Sequence, residues 1–363
     1  MNRCLILALF AFSALNVEMA RGGLIFSAMT SFSGDGWLSP TEAPAILGTG
    51  SLQRGLAYNA SADQLYVVDR NAGPGGIPGI GIRVLNATTG ASLGTLTAPL
   101  GGFSGGTFTT NMVGVGGDGA IYVGNLSTSA VGNFKVYRWA DSAAAPTVAF
   151  DAPTSLARTG DTFSVIGSGT NTRIVASGGV SQGVALLTTT DGTTFTSSVA
   201  NPLPAAAGAF RLGLDFLDAN TIIGKQTGSA FVVGNLTTLT TSTIAQTSAG
   251  EAPLAAFNVG ANSLLASVDV NSSLVRIYDL NAIGGPVQSL TTIIGTSVAN
   301  GNGTGNLDFG VDSSGNVRLY AMNSNNGIQA FVAAVPEPTS LALLGIVGAG
   351  FLARRRLRSR SAG

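Results

Sequence analysis

A six-bladed, all-β propeller is the fold this sequence predicts, and three observations predict it. Gly occupies 51 of 363 positions, with 45% hydrophobic and only 10% charged residues, which describes a turn-rich globular chain rather than a charged disordered one. Short apolar runs come in hairpin pairs joined by Gly, Asn or Asp, the residues suited to tight turns where φ becomes positive. The pairs recur: Leu65, Ile121, Ile174, Ile222, Leu264 and Leu319, each on the second run of its copy, lie 56, 53, 48, 42 and 55 residues apart. That spacing suits four-stranded blades, whose repeat is about 40–50 residues, and is too long for the rungs of a β-helix. A seven-bladed ring and a pair of β-sandwiches are the alternative arrangements.

In chain order, residues 1–22 read as a secretory signal peptide. Arg3 precedes an apolar run from Cys4 to Leu15, and small residues follow, with Ala20 and Gly22 placing cleavage after Gly22. Cys4, the only cysteine, sits too early for a lipoprotein cysteine and would leave with the peptide.

The body, 23–335, follows. Its first copy is "GLAYNASADQLYVVD" with "GIRVLNATTGASLGTL", and its sixth, "LDFGVDSSGNVRLYAMN" with "IQAFVAA", stops one strand short. A propeller must pair its first and last blades, so an N-terminal segment is expected to complete the sixth. Gly23–Thr30, "GLIFSAMT", is the candidate closing strand, with Ala43–Gly50 as the alternative. The Gly/Pro-rich stretch Gly73–Gly81 lacks the Lys and Ser/Thr of a phosphate loop and reads as a long loop on one propeller face.

Seven of the 18 basic residues lie in the two terminal segments, against two of the 18 acids. The body therefore carries 11 bases and 16 acids, a net charge of −5 that argues against nucleic acid as a partner. The chain has no histidine, which removes the commonest acid-base residue, the commonest zinc ligand and the usual partner of a nucleophilic serine. No cofactor is implied. Asp69, Asp118, Asp191, Asp269, Asp279 and Asp312 could supply a glycosidase-like carboxylate pair or calcium ligands, but most stand beside Gly, Asn or Ser, where an acid caps a turn. "VDVNSS" from Val268 and "VDSSGN" from Val311 lack the alternating acids and distal Glu of an EF-hand loop. Trp37, Trp139, Tyr66, Tyr122, Tyr137, Tyr278 and Tyr320 could stack on sugars; three of them fall on the repeated second strand, which points to packing between blades. The sequons at Asn86 and Asn235 are what chance gives in a chain this rich in Asn, Ser and Thr.

The last segment, 336–363, closes the chain with "PEPTSLALLGIVGAGFLARRRLRSRSAG". Thr339–Ala353 carries no charge, and arginines 354, 355, 356, 358 and 360 follow at once. An apolar run halted by Arg354, Arg355, Arg356, Arg358 and Arg360 stays in the membrane with those residues on the cytoplasmic side and the body outside. It falls short of the roughly 20 residues of a comfortable transmembrane helix, which suits a temporary hold before cutting. Pro336 and Pro338 keep the stem extended and open to a processing enzyme.

Val335-Pro336-Glu337-Pro338, Ser340, the Gly-containing apolar run and the arginine block together resemble the PEP-CTERM sorting signal of Gram-negative bacteria. The resemblance implies recognition of Val335, Pro336, Glu337 and Pro338 by an exosortase-type transpeptidase. It also implies passage through the secretion machinery, a precursor anchored in the inner membrane by its C-terminal helix, and delivery to the cell surface or matrix, often alongside exopolysaccharide. Two classes of function fit such a body. One is a non-catalytic propeller binding polysaccharide or a surface protein. The other is an extracellular carbohydrate-active hydrolase or lyase working through carboxylates. Paired perturbed acids in the central channel would favour the enzyme, and an entrance lined by Ser, Thr and Asn would favour the binding module.

Overall fold

The computed structural model describes residues 23–70, 80–200, 203–245, 248–282, 284–295 and 297–335. Residues 1–22, read above as a signal peptide, most of the Gly73–Gly81 stretch and the C-terminal residues 336–363 lie outside the described residues. Residues Ile25–Ala333 form one compact unit.

That unit is a propeller of six blades. Two short N-terminal strands, β1 (Ser27–Ala28) and β2 (Trp37–Leu38), precede the first blade. Blade one is β3 (Gln53–Asn59), β4 (Gln64–Asp69), β5 (Gly81–Asn86) and β6 (Ser92–Thr95). Blade two is β7 (Phe108–Val115), β8 (Ile121–Leu126), β9 (Asn133–Trp139) and β10 (Thr147–Pro153). Blade three is β11 (Thr159–Ile166), β12 (Arg173–Gly178), β13 (Val184–Thr189) and β14 (Phe195–Ala200). Blade four is β15 (Gly213–Phe216), β16 (Thr221–Lys225), β17 (Phe231–Asn235) and β18 (Thr241–Ile244). Blade five is β19 (Glu251–Val259), β20 (Asn262–Asp269), β21 (Val275–Asp279) and β22 (Gln288–Leu290). Blade six has three strands of its own, β23 (Gly305–Val311), β24 (Val317–Asn323) and β25 (Gly327–Ala333). The first strand of each blade packs against the first strands of both neighbours, which closes a ring around a central channel.

The second strands explain why the repeat was visible. In β4, Leu65 and Val67 pack toward blade six while Tyr66 and Val68 pack toward blade two. In β8, Ile121 and Val123 face blade one and Tyr122 faces blade three. Side chains alternate between faces, and a blade is covered on both, so these strands are apolar without interruption. The hydrophobic core therefore lies between blades. Tyr66, Tyr122 and Tyr320 are buried in it, as the packing reading of those aromatics expects.

The ring closes through the N-terminus, in two pieces. Ser27 and Ala28 pair with Val332 and Phe331, and Trp37 and Leu38 pair with Gln329 and Ile328, all antiparallel on β25. The expected stretch Gly23–Thr30 contains the first piece. The second, β2, was not expected. Between them the chain leaves the ladder so that Met29 and Phe32 can enter the core, where the Phe32 ring meets Tyr320 edge-on at 5.8 Å. Ala43–Gly50 forms no strand, and its Ile46 and Leu47 pack into the same core.

Gly327 opens β25 at φ +84°, in a turn where a Cβ would strike the Leu38 carbonyl, so the closure needs glycine there. Trp37 fastens this corner by donating Nε1–H to the Asn326 carbonyl at 2.7 Å. Trp37→Phe removes that bond and keeps an aromatic ring, and is expected to cost about 1–2 kcal/mol. A fall of a few degrees in the midpoint of thermal unfolding would show it.

Candidate functional site

Register fixes which residues meet at one level of the channel. The second-strand markers pair with Tyr58, Val115, Val165, Phe216, Phe257 and Phe309 on the inner strands. One residue earlier on each inner strand stand Ala57, Gly114, Ser164, Asp215, Ala256 and Asp308. The two acids occupy equivalent places in blades four and six, inside the same tripeptide, Leu-Asp-Phe.

Their hydrogen bonds repeat too. Oδ1 of Asp215 accepts from its neighbour Phe216 N–H at 2.8 Å, and Oδ2 accepts from Ala256 N–H of blade five at 2.7 Å. Oδ1 of Asp308 accepts from Phe309 N–H at 2.8 Å, and Oδ2 from Tyr58 N–H of blade one at 2.7 Å. Ser164 of blade three adds its hydroxyl to Oδ1 of Asp215. An inner strand is the edge of its sheet, and its outward amides need partners. These carboxyls supply them across the blade boundary. Loss of surrounding water pushes Asp215 up to about 6 and Asp308 up to about 7, with each outcome opposed by the amide donors and Asp308 raised further by Asp215.

Both acids line a funnel of about 440 Å³ at the C-terminal ends of the inner strands. Tyr58, Phe216, Phe257 and Phe309 supply aromatic wall, and Asn59 and Asn258 supply amides. Phe257 is half-buried and stacks on Phe309 with ring centroids 5.4 Å apart and planes at 13°. The Tyr58 hydroxyl is buried without a hydrogen-bond partner, and burial raises it to about 12.

The acids singled out in the sequence do structural work instead. Asp118, Asp191, Asp279 and Asp312 each accept backbone N–H bonds from one or two residues a short way ahead in their turns. Asp69 pairs with buried Arg83 at 2.8 Å, and Asp269 caps a turn while lying 3.4 Å from Arg276. The sequon residues Asn86 and Asn235 cap the turns after β5 and β17 in the same way. Among the described residues no three His, Cys, Asp or Glu side chains group as a metal site. Trp139, Tyr137 and Tyr278 are buried and offer no open stacking platform, while Trp37 is partly exposed with its indole N–H committed to the closure. Asp215 and Asp308 were missed because they lie inside strands, where turn chemistry gives no cue. The repeated Leu-Asp-Phe was the available signal.

Pro336, Glu337, Pro338 and the arginine block fall outside the described residues, and so does the apolar run between them. Among the described residues no helix is long and apolar enough to cross a membrane.

Comparison with known proteins separates the tail from the body. Residues 334–356 match the PEP-CTERM protein-sorting motif. That motif implies an exported, membrane-anchored precursor that an exosortase sorts to the cell surface. No curated protein matches the chain in sequence. The body resembles solved propellers only distantly. A DUF4623 family protein from Bacteroides eggerthii aligns with a TM-score of 0.66 at 15% identity, over 87% of this chain and 77% of that one. A protein of unknown function from Bacteroides thetaiotaomicron aligns with a TM-score of 0.50 at 13% identity, over 86% of this chain and 76% of that one. Likeness at such identity concerns the fold alone.

Proposed function

We propose that this exported protein displays, at the cell surface or in the matrix, a non-catalytic propeller that binds polysaccharide or a surface protein. The observation that supports a polysaccharide most is the funnel, whose volume of about 440 Å³, half-buried Phe257 ring and exposed Asn258 amide suit a sugar ring. Its two carboxyls turn into the wall, where each oxygen already accepts an N–H. A carboxylate that attacks or protonates a glycoside must keep an oxygen free for the substrate.

A second reading, a carbohydrate-active enzyme, draws support from the same pair. Carboxyls at about 6 and about 7 sit where a general acid works near neutral pH. One experiment separates the two. The full chain is incubated with the producing organism's exopolysaccharide, and co-sedimentation is followed together with new reducing ends and unsaturated sugars. Retention without product is expected, and Phe257→Ala should weaken retention roughly 5- to 10-fold, the worth of one aromatic face at about 1 kcal/mol or slightly more. Product that disappears in Asp308→Asn would replace the binding module with the enzyme.

A further inference from the structure

The opposite end of the channel carries a different chemistry. Arg54 on β3, Arg70 just after β4, Arg158 just before β11 and Arg211 just before β15 converge from blades one, three and four. One carboxylate, Asp161 on β11, stands among them. Arg158 takes both its oxygens, Nε to Oδ2 and Nη2 to Oδ1 at 2.7 Å each, and Arg211 Nε lies 3.3 Å from Oδ2. Both oxygens of Asp161 are thus bonded to Arg158, and its charge offsets only part of the burial that Arg54 and Arg70 suffer.

Arg54 and Arg70 are left without an acid of their own. Among the described residues Arg54 makes no side-chain hydrogen bond or ion pair, and Arg70 donates to Asn111 Oδ1 and lies 3.9 Å over the Phe108 ring. The Nε atoms of both are buried without a partner. Burial lowers Arg54, and it lowers Arg70 to about 9 with the nearby Arg54 charge adding to the effect. Guanidinium groups keep their protons in proteins, so the unmet charge calls for an anion rather than deprotonation. Elsewhere in the ring Arg83, Arg276 and Arg318 each have a carboxylate partner, and Arg138 and Arg173 donate to Tyr122 and Asn220, whereas Arg54 has neither kind of partner among the described residues.

Between Arg54, Arg70, Asn111, Asp161, Thr162 and Thr304 lies a cavity of about 20 Å³. A single water needs roughly 10–15 Å³ by such a measure, so the space takes a group of one or two oxygens and excludes a sugar ring. We propose that Arg54 and Arg70 form a binding site for a carboxylate, either a free small anion or the uronate group of an acidic polysaccharide whose ring stays outside. The guanidinium fork matches a carboxylate with two parallel N–H bonds. Only the polysaccharide source rests on the function proposed above; the anion site itself does not.

The test uses the full chain and three probes in calorimetry at low salt: sodium acetate, an oligogalacturonate and neutral dextran. Oligogalacturonate is expected to bind, acetate to compete with it, and Arg54→Gln with Arg70→Gln to weaken it at least 10-fold, while Arg173→Gln, in blade three, leaves it unchanged. Acetate binding alone would keep the anion site and assign it to a free anion. Dextran bound as well as oligogalacturonate, with no effect of the arginine variants, would keep the polysaccharide reading and overturn the site. Failure of both carboxylates would overturn it too. Thermal unfolding guards against a folding artefact: relief of unmet positive charge should raise the melting temperature of Arg54→Met in anion-poor buffer, and acetate should raise that of the natural protein. A lower melting temperature in Arg54→Met, with no response of the natural protein to acetate, would mean that the arginines serve the fold instead.

Discussion

Deletion of residues 25–38 is expected to abolish the cooperative unfolding transition and leave a chain that aggregates. Those residues carry β1 and β2, which occupy the outer edge of β25 in the sixth blade. Without them β25 shows a row of unpaired amides and carbonyls, a template for pairing with another chain. The deletion also takes Met29, Phe32 and Leu38 from the core they share with Tyr58, Leu65 and Tyr320. Each such side chain contributes about 2 kcal/mol by burial, so roughly 6 kcal/mol goes before any hydrogen bond is counted. A domain's whole net stability is on the order of 5–15 kcal/mol. Size-exclusion chromatography and a thermal scan of the truncated protein check this. A monomer with a sharp transition near that of the parent would show that packing between the blades holds the ring without the N-terminal strands.

The blades were legible because two local rules coincide in each of them. Burial on both faces makes strands such as β4 and β8 continuously apolar, and the first turn of a blade places Asp or Asn where backbone amides need capping, as Asp118 and Asp312 do. The sorting motif was legible for the same reason, since its parts stand next to one another in the chain. The second half of the closure was not. Two-residue pairings such as Trp37 with Gln329 and Leu38 with Ile328 have no period to detect, and the excursion through Phe32 hides their continuity with β1. The channel was legible only in part. Its acids repeat as Leu-Asp-Phe, but Arg54 and Arg70 of blade one stand far in sequence from Arg158 and Arg211 of blades three and four, and only closure of the ring brings them together.

The two channel carboxyls give the largest expected dependence on pH. An unfolded aspartate titrates near 3.8, while Asp215 and Asp308 in the folded ring are raised to about 6 and about 7. Between roughly pH 4 and 7 the folded state therefore binds protons that the unfolded state has released, and stability falls as pH rises through that window. The contribution is fully present below the unfolded value and lost above the folded ones. At about 1.4 kcal/mol per unit, Asp308 alone accounts for up to about 4 kcal/mol, reduced by whatever the funnel's solvent screens. Asp269 and Asp312, held below the usual carboxylate range despite burial, by hydrogen bonds and by Arg276 and Arg318, act in the opposite direction. Their stabilisation is lost as pH falls through their lowered values, so maximum stability is expected near pH 4–5. Urea denaturation from pH 3 to 8 measures the profile, and Asp308→Asn should remove most of the fall above pH 5. The slope is the decisive quantity, because the new amide must face the Tyr58 and Phe309 N–H donors and lowers stability at every pH. An unchanged slope would mean that Asp308 stays ionised across this range and that the fall comes from another group, Asp215 first among them. Either charge state leaves the arginine end positive, so an acidic chain is drawn to that end, and its binding there should survive Asp308→Asn.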